Sequence, residues 1–336
     1  MRVCQDWFPK TNGFYMDENL VMQLDILIKN MGYIHNNNFK SRDWDFTIII
    51  TGQGEVRVGK SKIAMDISCY WAYQMEKKFG IKTPFTVKDN FVFEGDKLIQ
   101  QGNYLGQNHP MSVLLFDEAG ADLEGTKTMN PSTQAVKDYL RECGQYNMLN
   151  VMVLPEYFDL PKGIALSRSI FLIDVYYLAD DEGVFQRGYF NFFSKRQKKW
   201  LYLKGKKWLD YHCVKPDFNG RFYNFYQVDE KEYRDAKQEA LVKRESKKRN
   251  RFQLLRDAAW FLLVYDGIPC KCGLNAKMTQ EQLGKRMEGL TGIFVPHNTI
   301  SDAMRHYLTE EELLGLKKKK SKLNIAAPPV LSSASE

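Results

Sequence analysis

The sequence predicts an α/β fold with a mainly parallel β-sheet, and three observations support this class. Short apolar runs recur between residues 44 and 185, they lack polar alternation, and segments with helical spacing separate them. Strands buried on both faces are continuous apolar runs, and strands that alternate with helices are typical of parallel sheets. The length of 336 residues leaves room for further domains, at ~100 to 200 residues each.

The predicted elements follow one another along the first half of the chain. A lead-in helix covers Asp17 to Met31, where apolar residues recur at helical spacing. Phe46 to Thr51 (FTIIIT) is a buried strand that runs into glycines, and a helix over Lys60 to Phe79 ends at Gly80. The next predicted elements are a strand over Phe85 to Phe93, a helix over Gly95 to Gln101, a strand over Ser112 to Phe116, a helix over Thr133 to Cys143, and strands over Asn150 to Leu154 and Ser169 to Val175.

Beyond residue 185 the pattern of residue types changes, which predicts additional domains. Aromatic and basic residues alternate over Gly188 to Phe225 and indicate two or three antiparallel strands. Asp229 to Arg251 is strongly charged and is expected to form an exposed helix that links two bodies. The predicted divisions are the N-terminal lead-in (1–43), the α/β core (44–185), a β-rich basic appendage with the charged linker helix (186–251), a C-terminal helical domain (252–316) and a basic, disordered tail (317–336).

Composition narrows the classes of function. Hydrophobic residues make up 44% and charged residues 26% of the chain, which is ordinary for a globular protein. No apolar run reaches the ~18 to 20 residues of a membrane helix, and the six cysteines are scattered. We therefore expect a cytoplasmic protein with reduced thiols and no membrane span.

Basic residues are concentrated in the C-terminal half. Residues 1–180 contain 18 Lys and Arg against 22 Asp and Glu, a net charge of −4, whereas residues 181–336 contain 30 against 19, a net charge of +11. Such an asymmetry indicates a polyanionic partner, with nucleic acid first and an anionic membrane surface second. The alternative is a solvated basic surface without a partner.

A phosphate-binding loop is predicted between the first strand and its helix. The segment matches G-x-x-x-x-G-K-[ST] in the strand, loop and helix order that this motif requires. Its backbone N–H groups and the positive end of the helix favour an anion. Lys60 is predicted to reach the β- and γ-phosphates of ATP, and the Ser61 hydroxyl to bind Mg²⁺. The predicted phosphate contacts are Gly54, Glu55, Val56, Arg57, Val58, Gly59, Lys60 and Ser61.

A pair of carboxylates follows another predicted strand. Ser112 to Phe116 is apolar and runs directly into Asp117 and Glu118. A strand that ends in Asp places one carboxylate at the carboxyl edge of a parallel sheet, beside the phosphate loop, where it can hold Mg²⁺. Glu118 is then placed to orient the attacking water and to accept its proton. A surface turn after a core strand is the alternative interpretation.

These motifs resemble the Walker A and Walker B motifs of the additional-strand catalytic-glutamate class of P-loop ATPases, which includes RecA-like, AAA+ and HerA/FtsK-like proteins. The resemblance covers about residues 44 to 178. It implies a P-loop NTPase core, Mg²⁺-dependent ATP hydrolysis and a homo-oligomeric ring. It also implies an extra strand between the two motif strands. The 56 residues between Lys60 and Asp117 leave room for this strand, which is predicted at Phe85 to Phe93. The pattern is similar, more loosely, to zonula occludens toxin-like and HerA/FtsK-like pumping ATPases of phages and mobile elements, which implies DNA translocation, packaging or transfer in a host cytoplasm.

The class resembled usually has two further features. One is a polar sensor residue at the end of the next strand, and here the strand Asn150 to Leu154 ends in Pro155 and Glu156 instead. The other is an arginine supplied to a neighbouring subunit. Arg141 and Arg168 are the candidates, and for each a surface ion pair is the competing interpretation.

The C-terminal half offers two candidate surfaces for a partner. Thr279 to Met287 and Asn298 to Arg305 are similar to a helix-turn-helix or winged-helix unit, which serves DNA or protein contacts. The aromatic and basic residues from Tyr189 to Tyr211 fit single-stranded bases, or alternatively one buried and one solvated face of a hairpin. Cys270 and Cys272 have no second pair at zinc-ligand spacing.

Three functions remain open on the sequence. The first is an ATPase that moves or packages DNA. The second is a nucleotide-gated regulator that binds a DNA site. The third is a morphogenesis or secretion ATPase that acts on a protein or membrane partner.

Overall fold

The computed structural model describes residues 1–55, 57–123, 131–247 and, farther on, 256–257, 259–260, 264, 268–269, 275–276, 279–291, 295–296 and 298–300. The chain divides into two compact units, Met1–Leu241 and Val242–Glu336. The described strands are β1 (Arg2–Val3), β2 (Phe14–Tyr15), β3 (Gly32–His35), β4 (Asn38–Ser41), β5 (Phe46–Thr51), β6 (Phe91–Val92), β7 (Val113–Phe116), β8 (Leu149–Val153), β9 (Phe171–Ala179), β10 (Phe185–Phe193), β11 (Phe218–Arg221), β12 (Ile268–Pro269) and β13 (Asn275–Ala276). The described helices are α1 (Glu18–Met31), α2 (Lys60–Phe79), α3 (Val87–Asn90), α4 (Gly95–Asn108), α5 (Gly120–Leu123), α6 (Pro131–Glu142), α7 (Lys195–Gly205), α8 (Glu230–Lys247) and α9 (Gln280–Thr291).

Seven of the described strands form one sheet in the order β11-β10-β9-β5-β8-β7-β6. The strands from β9 to β6 are parallel, and β10 is antiparallel to both of its neighbours. The prediction of a mainly parallel α/β sheet is therefore confirmed. β8 lies between β5 and β7, so the carboxyl ends of the two motif-bearing strands are one strand apart.

The residues of β5 supply the core on both sides of the sheet. Ile48 and Ile50 pack into one cluster with α1 and α2, whereas Ile49 packs into a second cluster with α4, α6 and α7. Successive residues of a strand point to opposite faces, and because both faces of the sheet are covered, all three side chains are fully buried. The unbroken apolar pattern of this strand follows from its two buried faces.

Two predictions about strands are wrong. Phe85 to Phe93 forms a strand only over β6, because Thr86 caps the short helix α3 by accepting a hydrogen bond from the Asp89 N–H (3.1 Å). β6 also lies at the edge of the sheet, and the strand between the two motif strands is β8.

The β-rich appendage predicted over Gly188 to Phe225 is correct in part, because two antiparallel strands, β10 and β11, do pair there. β10 and β11 continue the main sheet, and the residues between them form the helix α7. The buried positions of this helix are Lys198, Leu201, Tyr202 and Gly205, which is helical spacing. The alternation of aromatic and basic residues concealed this period because one of the four buried residues is a lysine. Lys198 donates to the carbonyl oxygens of Ala165 (2.6 Å) and Leu166 (3.3 Å).

The second unit is described in part. Thr279 caps α9 by accepting a hydrogen bond from the Gln282 N–H (3.2 Å). Leu283, Ile300 and Trp260 form a small buried cluster, as expected for packing of the two predicted helices. Val56, Cys270, Cys272, most of residues 252–265, the predicted second helix of the unit beyond Ile300, and the tail lie outside the described residues. Among the residues that are described, no helix has the length and apolar character needed to cross a bilayer.

Candidate functional site

The loop between β5 and α2 is tightly curved and is held by hydrogen bonds to its own backbone and to the end of β8. The Lys60 ammonium donates to the carbonyl oxygen of Glu55, which closes the loop on itself. The Gly54 N–H donates to Pro155 O (2.8 Å) and ties the loop to the end of β8. Positive φ angles recur along it, at Gln53 (54°), Gly54 (76°), Arg57 (62°) and Gly59 (107°). Such backbone conformations concentrate at ligand sites.

Gly59 is the position where this loop needs a glycine. It stands directly before α2 in the left-handed region, and a Cβ there would lie 2.9 Å from the Phe222 ring. The first N–H groups of α2 have no partner within the helix, and they carry its positive dipole end toward the loop. The described part of the loop therefore has the backbone conformation that a phosphate cradle requires, and phosphate binding by it stays a prediction.

Asp117 connects this loop to the end of β7. Its carboxylate accepts hydrogen bonds from Ser61 Oγ at 3.1 and 3.2 Å and from the Glu118 N–H at 3.0 Å. Asp117 is only 1% exposed. The two residues that the sequence predicts as metal ligands are thus adjacent in space, although they are 56 positions apart in the chain.

Glu118 follows in a strained backbone conformation. Its φ angle is +62°, which is uncommon for a residue with a side chain. The turn directs its carboxylate to the cavity beside the phosphate loop, where the side chain is 40% exposed. The carboxylate is thus attached to a fixed backbone and is accessible from the cavity.

Sequence reasoning missed two residues of α8 that reach this site. Tyr233 donates a hydrogen bond of 2.5 Å to Asp117 Oδ2. The Lys237 ammonium lies 3.0 Å from the same oxygen and 2.8 Å from Glu118 Oε1. The charged sequence of α8 predicts an exposed linker, and only the spacing of an aromatic residue and a lysine four positions apart could have suggested a shared face.

The segment before α8 is anchored on α2. Gln227 donates to the carboxylate of Asp66, whose burial raises its pKa well above the usual range. The Lys62 ammonium lies over the Tyr226 ring, and desolvation by burial lowers the pKa of Lys62 to about 8. These contacts hold the start of α8 against the helix that carries Lys60 and Ser61.

A cavity of about 850 Å³ opens on the phosphate loop. This volume suits a nucleotide-sized ligand. Burial lowers the pKa of Lys60, while the nearby carboxylates of Glu118 and Asp117 act in the opposite direction. The other charged side chains at its wall are Arg57, Lys62, Arg187, Glu230, Arg234 and Lys237. Cations outnumber carboxylates there, which favours an anionic ligand.

The residues present fit a magnesium ion. Mg²⁺ prefers hard oxygen ligands and is usually held by one or two protein groups together with nucleotide phosphates. The Ser61 hydroxyl and the Asp117 carboxylate provide such oxygens at the mouth of the phosphate loop.

Glu156 stands where the resembled class usually has its sensor residue. Its carboxylate accepts a hydrogen bond of 2.5 Å from the Tyr211 hydroxyl, and burial raises its pKa. On the other side of the loop, Gln53 donates to Asp174 Oδ2 (2.7 Å). Burial raises the pKa of Asp174 to about 7.

The two arginine candidates lie away from the phosphate loop of their own chain. Arg168 precedes β9 and contacts Asp45, which precedes β5, so this pair lies at the amino edge of the sheet. Arg141 pairs with Asp138 (3.1 Å) on the exposed surface of α6. Their predicted role on a neighbouring subunit stays a prediction.

A basic aromatic surface covers the outer side of α7 and the turn after it. Its exposed cations are Lys195, Arg196, Lys199, Lys204, Lys206 and Lys207. Trp200 is 46% exposed and Trp208 is 75% exposed, and lysines lie beside both indole rings. Residues 195–209 include no acidic residue. Two exposed indoles and six exposed cations therefore share this surface.

No family model and no curated protein matches this chain. Solved structures of viral packaging NTPases show partial similarity. The genome packaging NTPase B204 from Sulfolobus turreted icosahedral virus 2 is 11% identical in its complex with AMP, with 46% of this chain and 95% of that chain covered and a TM-score of 0.31. Its complex with ATP-gammaS is 12% identical, with 46% and 94% covered and a TM-score of 0.32.

B204, the DNA-packaging ATPase from Sulfolobus turreted icosahedral virus, is 15% identical, with 46% of this chain and 95% of that chain covered and a TM-score of 0.31. At these values the likeness identifies neither a family nor an activity for this chain.

Proposed function

We propose that the protein is a Mg²⁺-dependent ATP hydrolase that couples turnover to the translocation, packaging or transfer of DNA. The observation that carries the hydrolase assignment is the contact between Ser61 Oγ and the Asp117 carboxylate, 3.1 Å apart at the mouth of the phosphate loop. It joins the two oxygen ligands that phosphoryl-transfer sites of this kind use for the metal.

Each residue of the site then has a role. The loop N–H groups and Lys60 hold and neutralise the phosphates. Ser61 and Asp117 would hold the metal ion, which supplies positive charge to the γ-phosphate when it is bound. Glu118 orients the water in line with the γ-phosphate and accepts its proton.

DNA as the partner is supported by the distribution of charge. The basic excess lies in residues 181–336, and the basic aromatic surface combines cations for phosphates with indoles for bases. A motor of the class that the motifs resemble works as a homo-oligomeric ring, and we extend that expectation to this chain.

The test is steady-state ATP hydrolysis with Mg²⁺, measured without DNA and with random-sequence single-stranded or duplex DNA. Lys60→Ala is expected to abolish hydrolysis, whereas Lys88→Ala, at an exposed position on α3, is the matched control. Strong stimulation by random DNA supports the motor.

Other outcomes support the alternatives. Slow hydrolysis with binding to one DNA sequence supports a nucleotide-gated regulator. Hydrolysis that is indifferent to DNA supports a morphogenesis or secretion ATPase with a protein or membrane partner. Hydrolysis that persists in Lys60→Ala contradicts the assignment of the site.

A further inference from the structure

The inner face of α8 covers the catalytic carboxylates. Tyr233 and Lys237 are one helical turn apart and therefore lie on the same face. Together with Ser61 they surround Asp117, whose Oδ2 receives the Tyr233 hydroxyl at 2.5 Å, the Lys237 ammonium at 3.0 Å and the Ser61 hydroxyl at 3.1 Å. Tyr233 is 5% exposed, so α8 is packed into the site and does not merely pass over it.

The Lys237 ammonium contacts the carboxylates of both Asp117 and Glu118. It bridges Asp117 Oδ2 and Glu118 Oε1, at 3.0 and 2.8 Å, and so offsets part of the negative charge of these two adjacent carboxylates. A divalent cation at Asp117 would offset the same negative charge. Two cations at van der Waals distance repel each other strongly in a partly buried site. The oxygen that accepts from Lys237 therefore cannot serve the ammonium and a metal ion equally well.

We propose that Lys237, supported by Tyr233, is a positioning residue that holds Asp117 and Glu118 before nucleotide binds, and that Mg²⁺ with nucleotide displaces it. The proposal rests on the proposed function, because it requires that Ser61 and Asp117 bind the metal. Displacement of Lys237 loosens the inner face of α8.

The contacts of Lys237 favour its displacement over a permanent contact between Lys237 and the γ-phosphate. Both carboxylates that Lys237 contacts are needed by the reaction, one for the metal and one for the water. A lysine that kept both contacts would occupy the groups that the substrate must use. The exchange of one cation for another also keeps Asp117 neutralised in both states.

The experiment measures binding of a non-hydrolysable ATP analogue to the full chain at stepwise Mg²⁺ concentrations. Lys237→Met keeps the length of the side chain and removes its charge, and Lys231→Met is the control at an exposed position of the same helix. We expect Lys237→Met to lower the Mg²⁺ concentration for half-maximal binding about tenfold, and Lys231→Met to leave it unchanged. Tyr233→Phe keeps the ring and is expected to lower it less.

Hydrogen exchange gives a second readout that does not depend on activity. The amides of α8 are expected to exchange faster when Mg²⁺ and the analogue are added together than with the analogue and EDTA. An unchanged Mg²⁺ requirement in both Lys237→Met and Tyr233→Phe, or greater protection of α8 with Mg²⁺, overturns the displacement. Failure of the wild-type protein to bind the analogue under every condition overturns the proposed function itself.

Discussion

Arg168 lies 2.5 Å from Asp45 at the amino edge of the sheet, whereas the phosphate loop lies at the carboxyl edge. The side chains are 27% and 12% exposed, so the pair is largely removed from water. A parallel strand of the length of β5 spans ~20 Å, which separates this pair from the phosphate loop of the same chain. Arg168 therefore has a structural partner whether or not it serves a neighbouring subunit.

Substitution of Arg168 is expected to lower the stability of the folded protein. Arg168→Ala leaves the largely buried Asp45 carboxylate without its cationic partner and should lower the free energy of unfolding by about 1 to 3 kcal/mol. Arg141→Ala removes an exposed pair and should cost less than ~0.5 kcal/mol. Urea denaturation measures both. Equal losses in the two variants would contradict the difference in burial.

Arg141 is consequently the cleaner test of an arginine supplied in trans. A fall in kcat without a change in unfolding free energy would support that role for Arg141. The same fall in Arg168→Ala is interpretable only after correction for the folded fraction.

Glu118→Gln should separate binding from hydrolysis. The amide keeps the shape of the side chain but cannot accept the proton of water, so kcat should fall by ~10²- to 10⁴-fold. Affinity for a non-hydrolysable analogue should change little, which a titration checks. Glu182→Gln, in the exposed turn between β9 and β10, is the control. Full activity in Glu118→Gln would remove this residue from the mechanism.

The basic aromatic surface should contribute to binding of single-stranded DNA. Trp208→Ala is expected to weaken binding by ~1 to 3 kcal/mol, because each stacked base contributes about this much. Trp44→Ala, another exposed indole at 56%, is the matched control. Fluorescence anisotropy with a labelled oligonucleotide measures the change. Equal affinity in the wild type and Trp208→Ala at several salt concentrations would exclude stacking at this position.

Asp174 should make stability depend on pH. Burial raises its pKa from 3.8 to about 7, so the folded state binds a proton that the unfolded state releases above about pH 4. Stability is then highest below pH 4, declines as pH rises to about 7, and is level above that. From pH 5 to pH 8 this group should remove roughly 2 to 3 kcal/mol.

Asp174→Asn should abolish this decline, as urea denaturation at the two pH values would show. Asp181→Asn, in the exposed turn after β9, serves as the control and should retain the decline. An identical pH dependence in the wild type and Asp174→Asn would assign the effect to other groups, of which Glu156 and Lys60 are the charged neighbours of Asp174.

Local pattern predicted the central parts of the fold well. β5 and α2 have the predicted bounds because a continuous apolar run and a left-handed Gly80 mark their limits without help from distant residues. The Ser61 to Asp117 contact was also predictable, since strand ends of a parallel sheet meet at one edge.

Features that depend on distant partners were not predictable in the same way. Lys198 is buried because carbonyl groups 32 and 33 positions away accept its protons, and nothing near it in the sequence signals this. Lys237 and Asp117 are 120 positions apart. The charged sequence of α8 predicts an exposed helix, because nothing in it identifies the residues against which the helix packs. The contact of α8 with the site could therefore be found only from the structure.

The position of β5 in the sheet has a consequence for folding of the nascent chain. β5 is the first strand of the seven to leave the ribosome, yet it lies in the interior of the sheet between β8 and β9. Ile48 pairs with Val151 and Phe171, which follow it by roughly 5 to 25 s at translation rates of ~5 to 20 residues per second. During that interval FTIIIT is an unpaired, β-prone segment with two apolar faces, the kind of segment that aggregates. A chaperone that shields the nascent chain through these seconds is therefore expected to increase the yield of soluble protein.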